Sequence, residues 1–83
     1  MKNEEIIKII NEGYKEKQYL RIELIIGVIH DGFQVLLVKS NFIIGITEQQ
    51  RKSKLQLDCD IEQTLIFVKG ILRVFNPSPI KNQ

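Results

Sequence analysis

The sequence predicts a mainly β domain, a small antiparallel sheet, sandwich or barrel of about five strands, preceded by one short helix. Two observations predict it. Apolar runs too short for helices recur along the middle of the chain, bounded by turn residues: Leu24-Ile25-Ile26 with Val28-Ile29, Phe42-Ile43-Ile44 with Ile46, and Leu65-Ile66-Phe67-Val68. An Asp-Gly pair, Asp31-Gly32, stands between two such runs, where a tight hairpin turn needs positive φ. The runs are apolar on both faces of a strand, so both faces ask for cover. A chain of 83 residues has little interior to supply it. The expected cover is a second copy of the chain or the amphipathic N-terminal segment.

Residues 3–13 read as that segment. Asn3 is the expected N-cap, Glu4 and Glu5 suit the positive end of the helix dipole, and Gly13 is the expected stop. Ile6, Ile7, Ile9, Ile10 and Tyr14 gather on one side, with Lys8, Asn11 and Glu12 largely opposite. About ten residues make a marginal helix alone, so it must dock. After a polar connector, residues 19–30 read as a first long strand that turns at Asp31-Gly32 into 33–38. Lys39-Ser40-Asn41 reads as a turn, 42–47 as a third strand and 48–53 as an exposed polar loop. Residues 54–62 alternate, Leu55, Leu57, Cys59 and Ile61 against Gln56, Asp58, Asp60 and Glu62, and read as a fourth strand. Residues 64–75 read as one long last strand bent at Gly70, and 76–83, with Pro77 and Pro79, as a loose tail.

Composition bounds the function. The chain is one domain, 43% hydrophobic and 27% charged, which excludes disorder. No apolar run approaches the roughly 18 residues of a membrane span, and the N-terminus lacks a signal-peptide pattern. A single cysteine excludes an internal disulfide, so the expected location is the cytoplasm. No set of residues assembles a nucleophile, a base and an orienting group, and the expectation is a non-enzymatic protein without cofactor or metal. His30 reads as an ordinary turn histidine and Cys59 as a small core residue. Asp58, Asp60 and Glu62 form an acidic row whose natural partners are Lys69 and Arg73, on a shared face of the last strand. A divalent cation is the lesser reading of that row.

Net charge is +2; Lys39, Arg51, Lys52 and Lys54 stand against only Glu48, and after Glu62 come Lys69, Arg73 and Lys81 with no acid. Arg51, Lys52, Lys54, Lys69 and Arg73 are the candidate nucleic-acid contacts, beside Phe42, Phe67 and Phe75 as stacking surfaces. The partner would be single-stranded RNA or DNA. The alternative is a structural or inhibitory protein–protein assembly component that binds no nucleic acid.

Two stretches resemble the trp RNA-binding attenuation protein family. Residues 24–38, Leu-Ile-Ile-Gly-Val-Ile-His-Asp-Gly-Phe-Gln-Val-Leu-Leu-Val, are similar to its opening hairpin. Residues 66–74, Ile-Phe-Val-Lys-Gly-Ile-Leu-Arg-Val, are similar to its strand with a Val-Arg-Gly step. Together they cover about a third of the chain. The resemblance implies small sheets joined edge to edge in a homo-oligomeric ring whose basic residues, here Lys69 and Arg51, hold single-stranded RNA. A third basic position of the family falls on Phe67, and the family's Gly- and Thr-rich tryptophan loop is replaced by Ser40-Asn41-Phe42-Ile43-Ile44, so tryptophan is not an expected ligand. The helix-first order is similar to the Sm-like fold instead, a leading helix and about five strands, which also forms RNA-binding rings.

Overall fold

The computed structural model describes residues 2–57 and 62–77, the side chains of 54–57 excepted. The order is α1 (Asn3–Glu16), β1 (Tyr19–Leu24), β2 (Ile29–Val38), β3 (Phe42–Ile46), α2 (Glu48–Leu57), β4 (Thr64–Phe67), a 3₁₀ turn (Val68–Gly70) and β5 (Ile71–Phe75). The five strands form one antiparallel sheet in the order β4-β3-β2-β1-β5. The expected mainly β fold with an N-terminal helix is what forms, as a single open sheet.

That order imposes curvature. Laid flat, the outer strands of five stand about 19 Å apart. Yet β4 and β5 occupy opposite edges and are joined by three residues, whose backbone reaches roughly 14 Å from Phe67 to Ile71. The sheet must roll. Register shifts at three places provide the bend: Asp31-Gly32 against Arg21, Leu36 in β2 against β3, and Leu72 in β5 against β1.

α1 closes over the inside of the roll. Ile6, Ile10 and Gly13 are its buried face, at helical spacing. The helix does not stop at Gly13, which lies inside it. A Cβ there would stand 2.9 Å from Leu20 Cδ2, so the missing side chain lets helix and β1 approach. It ends at Lys17, which takes the left-handed conformation (φ 54°). Gln18 N–H then donates to the Gly13 carbonyl at 2.9 Å and Lys17 N–H to that of Tyr14, a Schellman arrangement. At the other end the N-cap is Lys2 rather than Asn3, with no side-chain cap. Ile6, Ile10, Leu20, Ile22, Phe33, Val35, Ile43, Ile66, Ile71 and Val74 make one core. No described side chain in it is polar.

Four expectations are corrected. The strand read over 19–30 is two strands, and the turn is Ile25-Ile26-Gly27, closed by Leu24 N–H to the Val28 carbonyl at 2.8 Å and Gly27 N–H to the Leu24 carbonyl at 2.9 Å. Gly27 carries the positive φ (93°) that a three-residue hairpin loop needs. Asp31-Gly32 also has its positive φ (60°), used for the bulge inside β2 rather than for a turn. The loop read over 48–53 is the first part of α2. Thr47 and Gln50 cap it reciprocally, Gln50 N–H to Thr47 Oγ1 at 3.1 Å and Thr47 N–H to Gln50 Oε1 at 2.9 Å. The strand read over 54–62 is helical to Leu57, and Glu62 is in no regular element; Asp58, Cys59 and Asp60 lie outside the described residues. The strand read over 64–75 is β4, the 3₁₀ turn and β5, on opposite edges of the sheet. Of the tail, 78–83 lie outside the described residues.

Candidate interaction surface

The outer face of the roll divides into an ionic half and an apolar half. On β1 and β5, side chains alternate outward at Arg21 and Glu23, opposite Phe75 and Arg73. Glu23 serves two arginines, one per carboxylate oxygen: Arg73 Nε at 3.2 Å from Oε1 and Arg21 Nε at 3.4 Å from Oε2. Asp31, on the bulge, adds a contact of 3.7 Å to Arg21. The Arg21 Nε–H makes no hydrogen bond of good angle, so its attraction to these carboxylates is ionic. α2 docks beside this half. Arg51 donates to the Gly32 carbonyl at 2.6 Å, and its guanidinium carbon lies 4.0 Å from the centre of the Tyr19 ring. The bulge is therefore a socket: it turns the Gly32 carbonyl out to receive Arg51.

On β3 and β4 the outward side chains are apolar. Phe42 lies opposite Phe67, and Ile44 opposite Leu65, with Leu37 of β2 opposite Ile44. The rings of Phe42 and Phe67 meet edge to face, 6.4 Å between centres and 71° between planes. Phe67 is 62% exposed and Leu65 47%. Among the described residues β4 has no strand neighbour on its other side. Beyond it lies an open cavity of about 230 Å³, lined by Thr64–Phe67 on one wall and by Leu24, Ile25, Ile26, His30 and Gly70 on the other. Ile25 and Ile26, at the tip of the β1–β2 turn, are 62% and 81% exposed. The double-faced apolar runs thus sort cleanly: Ile43, Ile66 and Val68 go inside, and Ile44, Leu65 and Phe67 go to the surface.

The sequence-predicted cations are distributed over both halves. Arg51 is the docking residue of α2; Lys52, on the same helix, pairs with Glu48 at 3.5 Å. Lys54 is also on α2, its side chain outside the described residues. Lys69 stands exposed in the 3₁₀ turn, and Arg73 is on β5, paired with Glu23 of β1, so the two do not share a strand face. Among the described residues Arg73's partner is Glu23; of the acidic row expected to face it, Asp58 and Asp60 lie outside the described residues. His30 is in β2, half-buried, with its ring 6.0 Å from that of Phe33. No described group of histidine, cysteine and carboxylate side chains is arranged to hold a metal ion, and no helix of the described residues is long and apolar enough to cross a membrane.

Of the apolar band on β3 and β4, Phe42 and Phe67 are among the sequence-predicted stacking surfaces, but Ile44 and Leu65 are not singled out there as site residues. The band's signal was present in the chain as apolar residues at consecutive positions, where an inward and an outward side chain are necessarily both apolar. α2 also had a signal, the Thr47-x-x-Gln50 capping box. Comparison with protein-family models, with curated proteins and with solved structures finds no match to this chain.

Proposed function

We propose that this protein is a non-enzymatic assembly module that works as a homo-oligomer, joined through the apolar band of β3 and β4. The observation that carries the reading is the contiguity of Phe42, Ile44, Leu65 and Phe67 beside a strand edge that no described residue pairs with, and an apolar cavity. Large apolar side chains scattered singly need no explanation, but a contiguous band at a sheet edge marks an interaction surface. The ionic half of the sheet favours the same division of labour, because its arginines are engaged within the chain.

Light scattering across the micromolar range tests this. The expected result is a particle heavier than one 9.7 kDa chain, dissociating on dilution. A clean single-chain mass throughout refutes the reading.

A second reading, single-stranded RNA or DNA binding, is supported by one group of residues. Phe67 is an exposed ring buttressed edge to face by Phe42, with exposed Lys69 two residues on and exposed Lys39 in the turn before β3. An aromatic platform beside cations suits unpaired bases and their phosphates. A mobility shift with a random single-stranded RNA pool, lost on adding salt, supports this reading; no shift at low salt removes it.

A further inference from the structure

We infer that the partner on β4 is a second copy of the same strand, bound antiparallel about a two-fold axis at Ile66, so that Leu65 of each copy faces the partner's Phe67. The inference rests on the assembly reading above and specifies its geometry.

The backbone sets the register. Val68 N–H donates to the Asn41 carbonyl at 2.9 Å, on the β3 side. Backbone groups alternate sides along an antiparallel strand, so those of Ile66 and Thr64 also point to β3. Those of Leu65 and Phe67 point to the open edge. An incoming antiparallel strand is best held when each open residue exchanges both of its bonds. Centring the two-fold on Ile66 pairs Leu65 with the partner's Phe67 and Phe67 with the partner's Leu65, and satisfies every open group of the strand. Centring it on Leu65 would bring in Gln63, which lies outside the strand.

Side chains agree with this register. Across the seam, one row reads Phe42, Phe67, then Leu65 and Ile44 of the partner subunit, and the symmetric row reads the reverse. Both rows are apolar from end to end, with no charge to desolvate.

The other edge lacks these properties. Exposed strand edges in monomers are protected by charges and bulges. β5 has both: Arg73, held by Glu23, and the register shift at Leu72. β4, Thr-Leu-Ile-Phe, has neither. A head-to-tail contact of β4 with the next copy's β5 would set an ion-paired arginine against the apolar rows. The two-fold contact avoids that, and it closes at two copies.

Cysteine cross-linking with hydrogen exchange tests the geometry. In a Cys59→Ser background, Leu65→Cys and Phe67→Cys chains are mixed at equal concentration and mildly oxidised. Facing residues of such a pair have Cα atoms about 5.5 Å apart, within disulfide range. The mixture is expected to cross-link at least about tenfold faster than either variant alone. A mixture of Leu65→Cys with Phe75→Cys is the head-to-tail control and is expected to stay uncross-linked. In the unsubstituted protein, light scattering should plateau at two chains, about 19 kDa from twice 9.7 kDa. The amides of Leu65 and Phe67 should slow their exchange as the dimer fills. Leu65→Lys, at a surface position counted twice per dimer, should weaken association at least about a hundredfold with an unchanged circular-dichroism spectrum. Cross-linking to position 75, a plateau above two chains, or unprotected Leu65 and Phe67 amides in a demonstrated oligomer overturns the two-fold β4 contact and leaves the assembly reading standing. A single-chain mass overturns both.

Discussion

Replacing Gly45 by alanine should destabilise the fold more than any other single-methyl addition at its glycines. Gly45 is buried in β3, opposite Val35 of β2. A Cβ built there falls 2.5 and 2.7 Å from Cε1 and Cζ of Phe33, and inside the contact distance of the Gln34 carbonyl oxygen. Phe33 has no exposed surface and cannot swing away. The Gln34 carbonyl belongs to the backbone that pairs with Ile46, so moving it disturbs the β2–β3 register itself. Overpacking of this kind costs about 1–3 kcal/mol, and a clash with backbone belongs at the upper end. The stiffer unfolded chain returns about 0.4–1 kcal/mol. A net loss of about 2 kcal/mol lowers the melting temperature of a domain this size by roughly 8–16 °C. Gly70→Ala is the control, because a Cβ at Gly70 meets nothing within 4 Å. It should leave stability unchanged or raise it by up to about 1 kcal/mol. Thermal and urea melts followed by circular dichroism, at one protein concentration, measure both. If Gly45→Ala melts within about 3 °C of the parent, the close approach of β3 to Phe33 and Gln34 is wrong, and with it the register of the sheet.

Three further outcomes are expected. Arg51→Ala should lose about 1–2 kcal/mol in urea melts, since it removes both the bond to the Gly32 carbonyl and the contact with Tyr19, whereas Lys52→Ala should change stability by less than about 0.5 kcal/mol; equal effects would mean α2 is not docked by Arg51. Lys17→Gly should raise stability by about 0.5–1 kcal/mol, because glycine takes the left-handed helix end without strain, and a destabilised variant would contradict that end geometry. If single-stranded RNA binds, Lys69→Ala should lower the slope of log affinity against log salt by about one unit, while Lys8→Ala, on the helix, should leave it unchanged; equal losses would move the site elsewhere.

Local periodicity determined the β character of this chain, its N-terminal helix and the demand for cover on both faces of its strands. Each is a property of neighbouring residues: Ile6 and Ile10 one turn apart, or Ile43 and Ile44 on opposite sides of a strand. The helix at 48–57 was also locally encoded, in Thr47 and Gln50, but the alternation of 55–61 at strand period masked it. What tertiary structure alone decided was where strands end. Gly27 and Gly32 both supply positive φ, and the sequence does not say which makes the turn and which the bulge. The core decides, by setting Leu20 against Phe33 and Ile22 against His30. Thr64–Phe75 reads as one strand because only Gly70 interrupts it. It breaks at Val68–Gly70 because the rolled sheet must carry the chain from one edge to the other. The fate of the cations was decided in the same way. Arg51 and Arg73 are basic residues in any reading, but the carbonyl that receives one and the carboxylate that receives the other come from strands far off in the chain. Charge is written in the sequence; whether a charge is free to meet a partner depends on what folding sets beside it.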